Sequence, residues 1–152
     1  MEDFMRKIFL IFTLMFLLTA CGKSNEIVFK SGEKYSFNDF RIYVIDDEEE
    51  MTSHVIFNSK DDKDKEEKII DVLSNLETAD ESMSLASIPN RNSLIIEFST
   101  DDSEDALYMY DSERYGDTGK FHYSFSGEVG GREVTLLSDE DMIGKIKGII
   151  GE

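Results

Sequence analysis

Residues 93–137, SLIIEFSTDDSEDALYMYDSERYGDTGKFHYSFSGEVGGREVTLL, decide the fold. Four runs within them, 93–99 (SLIIEFS), 105–111 (DALYMYD), 120–126 (KFHYSFS) and 132–137 (REVTLL), are rich in β-branched and aromatic residues. Each largely alternates apolar with polar side chains, as a strand with one buried face does. The linkers TDDSE, SERYGDTG and GEVGG consist largely of turn formers, so the four strands read as an antiparallel meander. Leu94, Ile96, Phe98, Leu107 and Met109 then share one face, and Ile95, Tyr108 and Tyr110 the other.

Upstream, 40–45 (FRIYVI) and 53–58 (SHVIFN) read as two further strands joined by the acidic turn 46–50, with Tyr43 and Ile45 on the Tyr108 face. Ser59-Lys60-Asp61-Asp62 has the spacing of a capping box and predicts a helix to about Glu77, with Ile69, Ile70, Leu73 and Leu76 on one face. A loop, ADESMSLASIPN, leads from it into the meander. Ser138-Asp139-Glu140-Asp141 repeats the box and predicts a final helix whose Met142, Ile143, Ile146, Ile149 and Ile150 align. Acids at its start and Lys145 and Lys147 further along suit the helix dipole. The order β-β-α-β-β-β-β-α predicts an α+β fold: an antiparallel sheet of about five to six strands with two amphipathic helices on one face.

The N-terminal region reads differently. Residues 8–18, IFLIFTLMFLL, are too short to span a bilayer, which takes ~20 residues, but suit the apolar core of a signal peptide. Arg6 and Lys7 supply the positive start; translation from Met5 would remove the discordant Glu2 and Asp3. The run ends Leu18-Thr19-Ala20-Cys21-Gly22, which resembles the bacterial lipobox. That resemblance implies cleavage between Ala20 and Cys21 and a diacylglycerol thioether on Cys21. The expected organisation is a signal at 1–20, a lipid-anchored tether at 21–38 and one domain at 39–152. Residues 22–38 carry Gly, Ser, Asn and Lys around two short apolar clusters. A flexible chain of 17 residues spans roughly 20–25 Å. Ile27–Phe29 are candidates for partial docking.

Charge narrows the partners. The chain has 33 acids against 16 bases, a net of −17, and the signal is neutral, so the whole excess lies on residues 21–152. That excess argues against nucleic acid, whose nonspecific affinity rests on Lys and Arg, and against a basic patch for anionic lipid. With one Cys there is no intramolecular disulfide and no Cys/His zinc motif. Four Ala, one Pro and no Trp beside abundant Ile, Lys, Asp and Glu are a composition typical of low-GC Gram-positive bacteria.

The helix IIDVLSNL (69–76), the loop ESMSLASIP (81–89), the strand LIIEF (94–98) and the strand ALYMY (106–110) carry a wider likeness. Over 40–150 the layout resembles small lipoprotein domains of Gram-positive bacteria, the YhfM-like group among them. Longer turns at 112–119 and 127–131 depart from that pattern. The resemblance implies a lipid anchor and this fold, on the extracytoplasmic face of the cell membrane, and brings no catalytic residues.

Chemistry is sparse. His54 and His122 lie in different strands; placed on one outer face with Glu97 they would make a metal site, but without any HExxH-like spacing they read as solvent-facing strand residues. No GxSxG elbow is present, and Gly116-Asp117-Thr118-Gly119-Lys120 lacks P-loop spacing and reads as a hairpin turn. The acidic runs 46–50 and 61–67 offer oxygen ligands without EF-hand spacing, and read mainly as solvated surface. No cofactor and no metal are expected, and the chain is not expected to be an enzyme. The outer face bearing Tyr43, Ile95, Tyr108 and Tyr110 has two readings. It binds an envelope protein or peptide, or segment 26–38, with Phe29, Tyr35 and Phe37, folds over it. The expected role is a membrane-anchored interaction module, working through that face or an exposed sheet edge. The alternative is an acidic calcium-binding domain. A third reading is that LMFLLTA (14–20), which resembles peptide pheromones cut from lipoprotein signals, is released as one.

Overall fold

A computed structural model describes residues 24–47, 49–79, 92–110 and 119–152. It is an α+β fold. Nine strands are described: β1 (Asn25–Val28), β2 (Lys34–Phe37), β3 (Asp39–Asp47), β4 (Thr52–Asn58), β5 (Glu77–Ala79), β6 (Leu94–Ser99), β7 (Glu104–Met109), β8 (Phe121–Val129) and β9 (Arg132–Ser138). Two helices, α1 (Lys63–Leu73) and α2 (Met142–Ile150), complete the set.

Seven strands form one antiparallel sheet in the order β4-β3-β6-β7-β8-β9-β5. The meander expected from 93–137 is its centre, β6 to β9. The turn between β8 and β9 closes on Gly130 and Gly131, both at positive φ (62° and 77°). Two such residues match the right-handed twist of the strands they join, and glycine adopts them without steric cost. Gly127 serves a different need: a Cβ there would lie 2.7 Å from both Asp105 Oδ2 and Phe125 Cζ.

The sheet is larger than the five to six strands expected. The added member is β5, three residues that pair with β9 (Glu77↔Leu137, Thr78↔Leu136, Ala79↔Thr135). The helix expected to run to Glu77 therefore stops at Leu73, and the chain turns through 74–76 into this edge strand.

Both capping boxes are displaced by one feature. Ser59 is buried and its Oγ accepts from the Phe40 N–H at 3.0 Å, so it is engaged in holding β3. The cap of α1 is Asp62, which accepts from the Lys65 N–H at 3.0 Å. Ser138 likewise closes a local turn with Glu140, and Asp141 caps α2 by accepting from Ile143 and Gly144. The true cap in each case is the Asp three residues after the Ser.

Most of the expected 21–38 tether is folded into the domain. Residues 25–28 and 34–37 form a β-hairpin, in register from Asn25↔Phe37 to Val28↔Lys34. Alternation decides its inner face: Ile27, Phe29, Tyr35 and Phe37 are all buried in the core. Phe37 meets Phe40 and Phe98 at ring-centroid distances of 5.9 and 5.0 Å, and Tyr35 meets Phe98 and Phe125 at 5.4 and 4.9 Å, all edge-on. The hairpin thus lies across β3, β6 and β8. Its Lys30 N–H donates to the Leu76 carbonyl in the turn between α1 and β5. The helices contribute Ile69, Leu73, Met142, Ile143 and Ile146 to the same apolar cluster, and Lys65 Nζ joins them by donating to the Ile150 carbonyl. The void left at the centre, lined by residues such as Ile27, Leu73 and Leu136, is only about 10 Å³, less than a ligand needs.

Candidate interaction face

Pairing register puts Tyr43, Ile95, Tyr108, Ser124 and Thr135 in one row across β3, β6, β7, β8 and β9. This row lies on the sheet face opposite Phe40, Phe98 and Phe125. Three of the four residues singled out from the sequence therefore lie side by side. Tyr110 follows β7, with its ring 6.0 Å from that of Tyr108.

The Tyr43, Ile95, Tyr108 and Tyr110 side chains are half-buried, not openly exposed. Tyr43 Oη donates to Glu97 Oε1 at 3.1 Å, and Arg41 pairs with Glu97 at 3.4 Å and Glu104 at 3.7 Å. Burial, followed by the neighbouring Glu97 carboxylate, holds the Tyr43 hydroxyl above its ordinary pKa. Tyr110 is raised too, first by burial and then by Tyr108.

Segment 26–38 does not cover this face, because its aromatic side chains are seated on the opposite one. Yet parts of the Tyr face are closed. Ile45, expected to point outward, is only 4% exposed, and Thr135 and His122 are each 2% exposed. Alternation placed them on this face; it carried no information about what packs there.

The histidines do not form a site together. His54 is exposed on β4 and bonds Asp46 through Nδ1 at 2.6 Å. His122 sits on β8, four strand positions away, or about 19 Å at ~4.8 Å per strand. Burial lowers its pKa, favouring the neutral ring and correcting the solvent-facing expectation. Among the described residues no group of three His, Cys, Asp or Glu is arranged to hold a metal ion. An open groove of about 500 Å³ on α1 is lined by Asp64, Glu67, Lys68, Asp71, Val72 and Ile149.

A polar cluster at the hairpin tip joins residues far apart in sequence. Glu77 bridges Lys120 at 2.6 Å and Lys30 at 2.8 Å, and these two lysines bring its pKa down to about 2. Glu33 accepts from the Thr78 hydroxyl and pairs with Arg132 at 2.6 Å. Pairing of β5 with β9 and docking of the β1–β2 hairpin beside them assemble these groups, so no local spacing announces them. The sheet edges differ: β5 is three residues, whereas Thr52–Val55 of β4 are exposed.

Ala20 and Cys21 lie outside the described residues, as do Gly116–Thr118 and most of the loop before β6. Among the described residues no helix is long and apolar enough to cross a membrane. The chain matches no protein-family description, no curated protein and no solved structure.

Proposed function

We propose that this chain is a lipid-anchored interaction module of the bacterial envelope, tethered through Cys21 and using the Tyr43–Ile95–Tyr108 row with Tyr110 to bind a protein or peptide. The observation that carries the binding half is the row itself. Three large side chains stand in register on three adjacent strands, all partly exposed, and two of them carry hydroxyl groups. Tyrosine suits such a surface because its ring supplies apolar area while its hydroxyl tolerates water. The anchoring half rests on the positive start, apolar run and LTAC sequence ending at Cys21. Both helices, in this reading, share the hairpin's face of the sheet. Their buried residues in the Phe98 cluster support that arrangement, which leaves the Tyr face as the side available for recognition.

Cross-linking in intact cells tests the binding face. Replacing both Tyr108 and Tyr110 by Ser, with the melting transition retained, is expected to remove the cross-linked partner. An unchanged set of partners would overturn the assignment of the face.

A further inference from the structure

We infer that the pole of the domain formed by Asn25, Asn38, Asp102 and the 59–62 loop is held against the lipid surface, with the acidic β3–β4 turn directed away from it. The inference rests on lipidation of Cys21, proposed above, and deepens it into an orientation.

Chain length carries the argument. A tether reaching to residue 38 would hold the domain clear of the head groups. The folded hairpin shortens it drastically, because β1 begins at Asn25, four residues after Cys21. Four residues span at most about 13–14 Å even when fully extended. A head-group layer accounts for roughly 5–7 Å of that, while a domain of this size is about 35 Å across. The far side of the domain is therefore out of reach of the bilayer.

Asn25 is also firmly placed. Its Nδ2 donates to the Asn38 carbonyl at 3.2 Å and to Glu66 Oε1 at 2.9 Å, and Glu66 is buried in α1. Asn38 in turn bonds Asp101 in the β6–β7 turn at 2.9 Å. The 59–62 loop joins this pole through the Ser59 N–H, which donates to Phe40 at the start of β3. From there β3 runs nine residues to Asp47, about 26 Å at ~3.3 Å per step, so Glu49 and Glu50 mark the opposite pole. The near pole carries Asp39, Asp61, Asp62, Asp101 and Asp102 against Lys60 and Lys63, so the short tether, not charge attraction, holds it at the surface.

The test uses the full lipoprotein, produced in a bacterium that processes such signals and reconstituted into phosphatidylcholine vesicles bearing a head-group quencher. Lipidated Cys21 has no free thiol, so Asp102→Cys or Glu50→Cys adds one unique dye site. The dye at 102 is expected to be quenched several-fold more than the dye at 50. A long Gly-Ser insertion after Lys23 is expected to abolish the difference. Asp61→Cys provides a second near-pole site should the 102 variant fold poorly. Equal quenching at both poles without the insertion would overturn the orientation. Dye uptake by the wild-type chain would show a free Cys21, and would overturn the anchor and this inference with it.

Discussion

The two faces of strand β6 come from one hexapeptide, LIIEFS, and meet different fates. Leu94, Ile96 and Phe98 are sealed in the apolar cluster that includes the β1–β2 hairpin, at 0–1% exposure. Ile95 and Glu97, one residue along, stay part-exposed beside Tyr43 and Tyr108. A strand's period of two makes such a division unavoidable. What differs is the covering. The inner face is filled by interlocking rings that leave almost no void, so its residues are committed to stability. The outer face buries Ile45, His122 and Thr135 but keeps the hydroxyls and carboxylate of its Tyr43–Ile95–Tyr108 row and Glu97 within reach of water, so that row is less committed to stability.

The largest test of that contrast is Phe98→Ala. Phe98 contacts Tyr35, Phe37, Phe40 and Phe125, so its loss opens a cavity beneath the hairpin. Denaturant unfolding is expected to show a loss of about 3–5 kcal/mol. A loss no larger than for an outer-face substitution would mean that the hairpin is not docked there.

Tyr35→Phe asks a finer question of the same face. The Tyr35 hydroxyl donates to Asp105 Oδ2 at 2.8 Å, and burial with this neighbouring carboxylate holds it well above its ordinary pKa. Removing the hydroxyl while keeping the ring is expected to cost about 1 kcal/mol. Protection of the hairpin amides from hydrogen exchange should fall with it.

On the outer face, His122 tests whether a buried patch interrupts the open one. Burial depresses its folded-state pKa below the ordinary ~6.5, so protons bind the unfolded chain more tightly there. Its contribution is complete above ~6.5 and is lost as pH falls below that value. Glu77, brought down to about 2, begins to matter only below the ordinary carboxylate range near 4.5. Melting temperatures between these two ranges should fall with pH for the wild type and less steeply for His122→Gln. Parallel curves would mean an openly solvated ring.

The smallest effect belongs to Tyr108→Phe, which removes a hydroxyl from the half-buried row. Stability is expected to change by no more than about 0.5 kcal/mol. Partner binding is where that substitution should register.

Local pattern carried the fold as far as period and burial agree. The meander strands were legible because each largely alternates, and Tyr43, Ile95 and Tyr108 lined up because the register is regular across β3, β6 and β7. In sequence the hairpin resembles a tether, because two four-residue strands among Gly, Ser, Asn and Lys offer little periodic signal. Its aromatic residues were nonetheless the clue: Tyr35 and Phe37, like Ile27 and Phe29, are spaced by two. Strand β5 has no local signal at all, since Glu-Thr-Ala becomes a strand only by pairing with β9. The Ser residues of both capping boxes were misleading because Ser59 and Ser138 found tertiary or turn partners, leaving the caps to Asp62 and Asp141. His122 and Ile45 show the same limit at the candidate site, where alternation fixes the face but not the covering.

Anchoring through Cys21 is the claim on which the functional reading depends, and the intact mass of the mature chain from the membrane fraction tests it most directly. The account predicts loss of residues 1–20 and a diacylglycerol adduct on Cys21, both abolished by Cys21→Ala. A mature chain in the soluble fraction with an unmodified Cys21 would contradict it.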